Sequence, residues 1–249
     1  MTASLTTCLA FDTATEHLSI ALQVGHARWS HQGPGGALAS ATLIPGIMDL
    51  LARAGIGLRD LDAIAFGRGP GAFTGLRTAC SVAQGLAFGA GKPVLPIDTL
   101  LAVAEDARMA GALGNVWVVM DARMDEIYAA HAVFDSGRWR YAVEPFLCGP
   151  QHLNECWRMD PPQVLAGSAL AVFGERLDGG DATRWPNALP RARALLPLAA
   201  SLWEQGGAVD AALALPLYLR DKVAQTMAER AAIKSAAAAL KITTGAVPT

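Results

Sequence analysis

Two stretches of the chain, one near the N-terminus and one near the middle, carry the same pattern. Leu9-Ala10-Phe11-Asp12 is followed by His17-Leu18-Ser19-Ile20-Ala21-Leu22, and Val116-Trp117-Val118-Val119-Met120-Asp121 by Glu126-Ile127-Tyr128-Ala129-Ala130-His131. In both copies an apolar run ends on an aspartate, an acidic residue stands four positions on (Glu16, Asp125), and a second apolar run returns. Short apolar runs bounded by turn residues read as strands. Further along, Ala63-Ile64-Ala65-Phe66 leads through a glycine turn into a helix, and Val164-Leu165-Ala166 does the same through Gly167. Two copies of one order predict duplication of a βββαβα unit, and so a two-lobed α/β fold. The corresponding lobes are residues 1–110 and 111–224, with 225–249 an alanine-rich tail expected to be flexible.

Within the first half, strands are predicted over 7–11, 18–23 and 27–30, a helix over 38–54 that Pro45 should kink, and a helix over 74–89 with Thr74 as its N-cap. A buried strand over 94–97 and a helix over 99–110 follow. In the second half, 195–205 reads as a helix and 215–220 as a final edge strand or extended segment, since Pro216 keeps it from the middle of a sheet.

The turn between strand and helix in the first half is Gly67-Arg68-Gly69-Pro70-Gly71-Ala72-Phe73-Thr74-Gly75-Leu76-Arg77. A strand, a glycine loop and a helix N-terminus bring free N–H groups and a positive dipole end to one place, which suits an anion. Asp12, Gly69, Gly71 and Thr74 are the candidate nucleotide-binding residues. Two other readings stand beside this one: the glycines make only a tight turn, and the Asp12 carboxylate only accepts from the backbone N–H groups of Ala14 and Thr15. The loop lacks the Gly-Lys-Ser/Thr of a phosphate-binding P-loop, because the single Gly91-Lys92 pair closes the following helix, and its glycine spacing is not that of a dinucleotide fingerprint. No pair of histidines has the i, i+4 spacing of a helical metal site, and no nucleophile elbow is present.

Composition narrows the class. The 249 residues are 52% hydrophobic and 17% charged, with a formal net charge of −2 and a pI near 6.2. A mean hydropathy of +0.30 is high, yet no run approaches the ~18 apolar residues of a spanning helix. A near-neutral chain is poorly suited to gripping a nucleic-acid backbone alone. Four cysteines without a C-x-x-C pair and no basic leader before the first strand predict reduced thiols in the cytoplasm and no membrane.

The helices of the first half present apolar stripes: Leu43, Ile44, Ile47, Met48 and Leu51 on one, and Leu76, Ala79, Cys80, Ala83, Leu86 and Ala87 on the other. The second stripe is mostly small, which lets another helix approach closely. Either stripe serves as core or as half of a four-helix contact, and these eleven residues are the candidate partner-binding set.

Leu9-Ala10-Phe11-Asp12-Thr13-Ala14-Thr15-Glu16, the Gly67 to Arg77 loop, Gln84-Gly85-Leu86-Ala87, Asp121-Ala122-Arg123-Met124-Asp125-Glu126-Ile127-Tyr128 and Tyr218-Leu219-Arg220 resemble the bacterial TsaB (YeaZ) family in order and spacing. The resemblance covers residues 8 to 224. It implies a fold of the actin, Hsp70 and sugar-kinase type. It also implies a role in making N6-threonylcarbamoyladenosine on tRNA as a non-catalytic scaffold beside a TsaD-type transferase and a TsaE-type ATPase. Pairing would use the helices at 38–54 and 74–89, with homodimers when alone. ATP or ADP and a metal would belong to the partner subunits, tRNA would be met through the complex, and this chain would have no cofactor of its own. The transferase subunits carry H-x-x-x-H on the first helix. Leu38-Ala39-Ser40-Ala41-Thr42-Leu43-Ile44-Pro45 has no histidine, and many TsaB relatives keep one near Ala39. The rival reading is a stand-alone phosphotransferase or a glycoprotease-like peptidase.

Overall fold

The computed structural model describes residues 4–220; the alanine-rich tail lies outside the described residues. Residues 4–219 lie in one compact unit. It holds two five-stranded sheets. The first is built from β1 (Thr7–Asp12), β2 (His17–Val24), β3 (Ala27–Pro34), β4 (Ala63–Gly69) and β5 (Val94–Asp98), with α1 (Ala39–Ala54), α2 (Phe73–Ala90) and α3 (Thr99–Met109) between or after them. The second uses β6 (Val116–Asp121), β7 (Ile127–Asp135), β8 (Arg138–Cys148), β9 (Val164–Ala166) and β10 (Thr183–Trp185), with α4 (Pro150–Met159), α5 (Ala169–Phe173) and α6 (Ala192–Glu204).

The sheet orders are β3-β2-β1-β4-β5 and β10-β9-β6-β7-β8. Read from opposite edges they match strand for strand, each with an antiparallel β1-β2-β3 or β6-β7-β8 meander and two parallel strands. This is the duplicated, two-lobed actin/Hsp70/sugar-kinase-like topology expected, and each half adds a further strand and helix to βββαβα.

The inner strands of the first sheet are apolar on both faces, but residue size alternates. Along β1 and β4, Leu9, Phe11, Ile64 and Phe66 point to one side, and Cys8, Ala10, Ala63 and Ala65 to the other. The large side packs against α1 and α2 through Leu43, Ile47, Leu51, Ala79, Ala83 and Ala87. On the small side lies α6, with Ala192, Leu195, Leu196 and Ala199; small strand residues let a helix backbone come close. Helix α3 does the reciprocal, placing Leu100, Val103, Ala104 and Ala107 against β6, β7 and β9. Each half's last helix therefore covers the other half's sheet. Buried Asp106 of α3 binds Arg191 and Arg193, and accepts the Leu189 N–H at 3.1 Å, while Ser19 Oγ of β2 accepts the Ala192 N–H at 2.8 Å. Burying that carboxylate is tolerable because its oxygens are paired.

Several expectations change. The N-cap of α2 is Ala72, not Thr74, which lies exposed in the first turn. Pro45, expected to kink α1 or to mark a broken first turn, sits inside the helix, which runs on to Ala54. Residues 214–220 form no strand; after a 3-10 turn (Ala211–Leu213) they run as an irregular strap. Strand β10 adds an element beyond those expected. Among the described residues one helical stretch, Gly36–Ala54, is long and apolar enough to cross a membrane by length and composition. Its inner stripe is committed to the core of the first half.

Candidate functional site

The glycine loop and the β1–β2 turn fill each other. Asp12 Oδ1 accepts the Ala14 N–H at 2.8 Å, and Oδ2 accepts the Thr99 hydroxyl at 3.3 Å. Thr99 Oγ1 in turn accepts the Gly69 N–H at 3.1 Å. The Asp12 carboxylate lies where a side chain at Gly67 would stand, 1.7 Å from the ideal Cβ position. A Cβ at Gly71 would meet Ala14, and one at Gly75 would stand 1.9 Å from the Thr13 carbonyl. The Ala72 N–H donates to Ala14 O at 2.7 Å, and the Thr13 hydroxyl to Gly75 O at 2.8 Å. Gly71 and Gly75 are there because another backbone passes within contact distance, and Gly67 because the Asp12 side chain fills the space beside it.

The loop packs against the chain's own β1–β2 turn, and Arg68, the cation within it, is paired with Asp98. Burial raises the Asp12 pKa to about 7, against the opposing pull of the Ala14 and Thr99 hydrogen bonds. Asp12, Gly69 and Gly71 are parts of a tight turn, and exposed Thr74 lies apart from them. The contacts of Asp12, Gly69 and Gly71 are those of the tight-turn reading. The Asp12 bond to Ala14 is the turn bond expected; in place of Thr15, Thr99 supplies the second partner.

Across the cleft, the β6–β7 turn holds Arg123, Met124 and Asp125 all at positive φ, 62°, 56° and 63°. Such a run is costly for residues with a Cβ, about 1–2 kcal/mol each. Charged contacts brace it: Arg123 pairs with Glu16 of the β1–β2 turn and with Asp121, and Asp125 takes a two-pronged bond from Arg176 at 2.6 and 2.7 Å. The two equivalent turns of the duplication thus meet through Glu16 and Arg123.

The eleven candidate partner-binding residues separate by burial. Leu43, Ile47, Leu51, Leu76, Ala79, Cys80, Ala83 and Ala87 are covered by their own sheet, and Leu86 packs partly against the same cluster. A side chain sealed inside its own core presents nothing to a second molecule, so these residues build the first half instead. Ile44 and Met48, 45% and 49% exposed, are the two of the set that face solvent.

The outward stripe of α2 went unread: Thr74, Arg77, Ser81, Gly85 and Phe88, at helical spacing of three and four. A Cβ at Gly85 or Gly89 meets nothing within 4 Å, and Phe88 is 85% exposed. The signal was available in the phase of the helix. The alanines recur with Leu76, a sheet-facing position, and the serine and glycines fall on the opposite side.

Comparison with known proteins gives the family. A sequence model described as "TsaD: tRNA N6-adenosine threonylcarbamoyltransferase" matches residues 37–168. The chain is similar to the tRNA threonylcarbamoyladenosine biosynthesis protein TsaB of Haemophilus influenzae, 37% identical over 228 residues, 87% of this chain and 94% of that protein. The Escherichia coli protein of the same name is 33% identical over 231 residues, 87% and 95% of the two chains. Among solved structures, YeaZ from Pseudomonas aeruginosa superposes with a TM-score of 0.79 at 38% identity, covering 86% of this chain and 100% of that one. The chain belongs to the TsaB (YeaZ) family of tRNA threonylcarbamoyladenosine biosynthesis proteins.

Proposed function

We propose that this protein is a non-catalytic subunit of the threonylcarbamoyladenosine-forming complex, pairing with the TsaD-type transferase. The observation that carries this reading is the outward face of the α1–α2 pair. Ser81, Gly85 and Gly89 form a floor without bulk, edged by the exposed apolar side chains Ile44, Met48 and Phe88. Small residues between apolar ridges accept a partner helix at close range. The transferase family model spans both helices, so a related subunit offers a comparable pair for a four-helix contact. The filled glycine loop and the histidine-free first helix argue against phosphotransfer by this chain, and leave nucleotide and metal to the partner. A TsaE-type ATPase completes the cytoplasmic assembly, tRNA is reached through it, and the same face supports a homodimer in the partner's absence.

The test follows from burial. Gly85→Leu adds bulk to the floor while raising helix propensity by roughly 1 kcal/mol, so it should abolish co-purification with the transferase subunit without lowering the melting temperature. Ala83→Trp should instead unfold the protein, because Ala83 is core. Undiminished pairing by Gly85→Leu, or magnesium-dependent ATP turnover by the isolated chain that Asp12→Ala removes, sinks the proposal.

A further inference from the structure

The face just described continues onto the strap at 211–218, which reaches it from the far end of the chain. Ala211 and Ala214 are buried in the core of the first half. Gln84 Nε2 and Cys80 Sγ both donate to the Ala214 carbonyl, at 2.9 and 3.2 Å. The Leu217 N–H donates to Arg68 O at 2.7 Å. At the end of the strap the Tyr218 ring lies 4.8 Å from that of Phe73, whose face carries the Arg77 guanidinium at 3.7 Å. The backbone is thus fixed along α2, yet Leu213 and Leu215 are 68% and 66% exposed. On a helix of 3.6 residues per turn, Cys80 and Gln84 flank Ser81 on one side, and Val82 and Leu86 flank Gly85 on the other. Val82 and Leu86 pack toward the cluster that holds α1. The strap therefore runs along the Cys80 and Gln84 side of the floor.

The strap also lies outside residues 37–168, the part matched by the transferase family model. A groove made from α1 and α2 alone consists of elements common to both subunit types, and it gives little basis for choosing a partner over a second copy. Discrimination needs an element that is not shared.

We propose that Leu213 and Leu215 form the second wall of the docking groove, contact the transferase-type partner, and favour it over self-pairing. The inference rests on the docking reading above and adds to it the residues that select the partner. Exposed leucines held on a pinned backbone lose little order on binding, which favours them as contacts.

The experiment titrates the full-length chain with its transferase subunit by calorimetry and follows self-association by sedimentation. The double variant Leu213→Asp/Leu215→Asp should weaken the heteromeric complex at least tenfold and leave self-association within twofold of wild type. Hydrogen exchange of the wild-type chain should show the amides of 211–218 protected when the transferase subunit is added; this readout stands if the variant folds poorly. Variant affinity within twofold of wild type, equal loss of both associations, or unchanged exchange at 211–218 overturns the proposal. Gly85→Leu measured alongside separates the layers: if it loses the partner and the strap variant does not, the groove stands and the strap role falls. If neither variant loses the partner, both readings fall.

Discussion

Asp12 is a carboxyl enclosed by its own chain, and its titration has a definite sign. In the folded protein its pKa lies at about 7, against the ordinary 3.8 of an aspartate in the unfolded chain. The folded state holds the proton more tightly, so the stabilisation from this group is complete below pH 4 and is lost as pH rises towards 7. Asp12→Asn keeps the acceptor for the Ala14 N–H and removes the buried charge. The variant is expected to be more stable than wild type at pH 8 by a few kcal/mol at most, the gap closing by pH 4.5; thermal melts at the two pH values check it. At this scale the sequence was partly legible. The aspartate at the end of the first strand and the glycines opposite it were visible as a pair of features. That they occupy each other's space was not, because the Thr99 hydroxyl joining them arrives from another helix.

Among the elements, the hairpin β7–β8 carries its own prediction. Ser136 and Gly137 form its two-residue turn with φ of 49° and 80°, the left-handed pair that tight hairpins prefer. Asn accepts this conformation more readily than Ser. Ser136→Asn should therefore stabilise the protein by about 0.5 kcal/mol, raising the melting temperature by roughly 1–2 °C, as calorimetry will show. The hairpin also illustrates why element reading stopped where it did. Strands β1, β2, β6 and β7 announced themselves because they are buried on both faces. By contrast β8 is an edge strand whose apolar stretches, Tyr141-Ala142-Val143 and Pro145-Phe146-Leu147-Cys148, are short and broken by Glu144. Helix α2 was recognised as a helix, but its small residues fall into two groups, alanines inward and Ser81, Gly85 and Gly89 outward. Residue size alone did not say which side the sheet would take.

For the whole molecule, the exchange of α3 and α6 means that neither half owns a complete core. Residues 1–110 expressed alone lack α6 over Cys8, Ala10, Ala21, Ala63 and Ala65, and 111–224 lacks α3 over Val116, Val118 and Met120. Each fragment is expected to be aggregated or unfolded by circular dichroism, with native spectra returning when both are co-expressed. The duplication was legible from two aspartate-ended strands; the exchange was not, since it depends on how the copies face one another.

The strap has a further bearing on timing. The strands and helices that carry the docking face emerge early from the ribosome, but Ala211 and Ala214, which close the space beside α2, are translated after the entire second sheet. At typical bacterial speeds the delay is on the order of ten seconds. On the docking reading proposed above, the nascent chain carries a groove lacking its strap until residues 211–214 have been made.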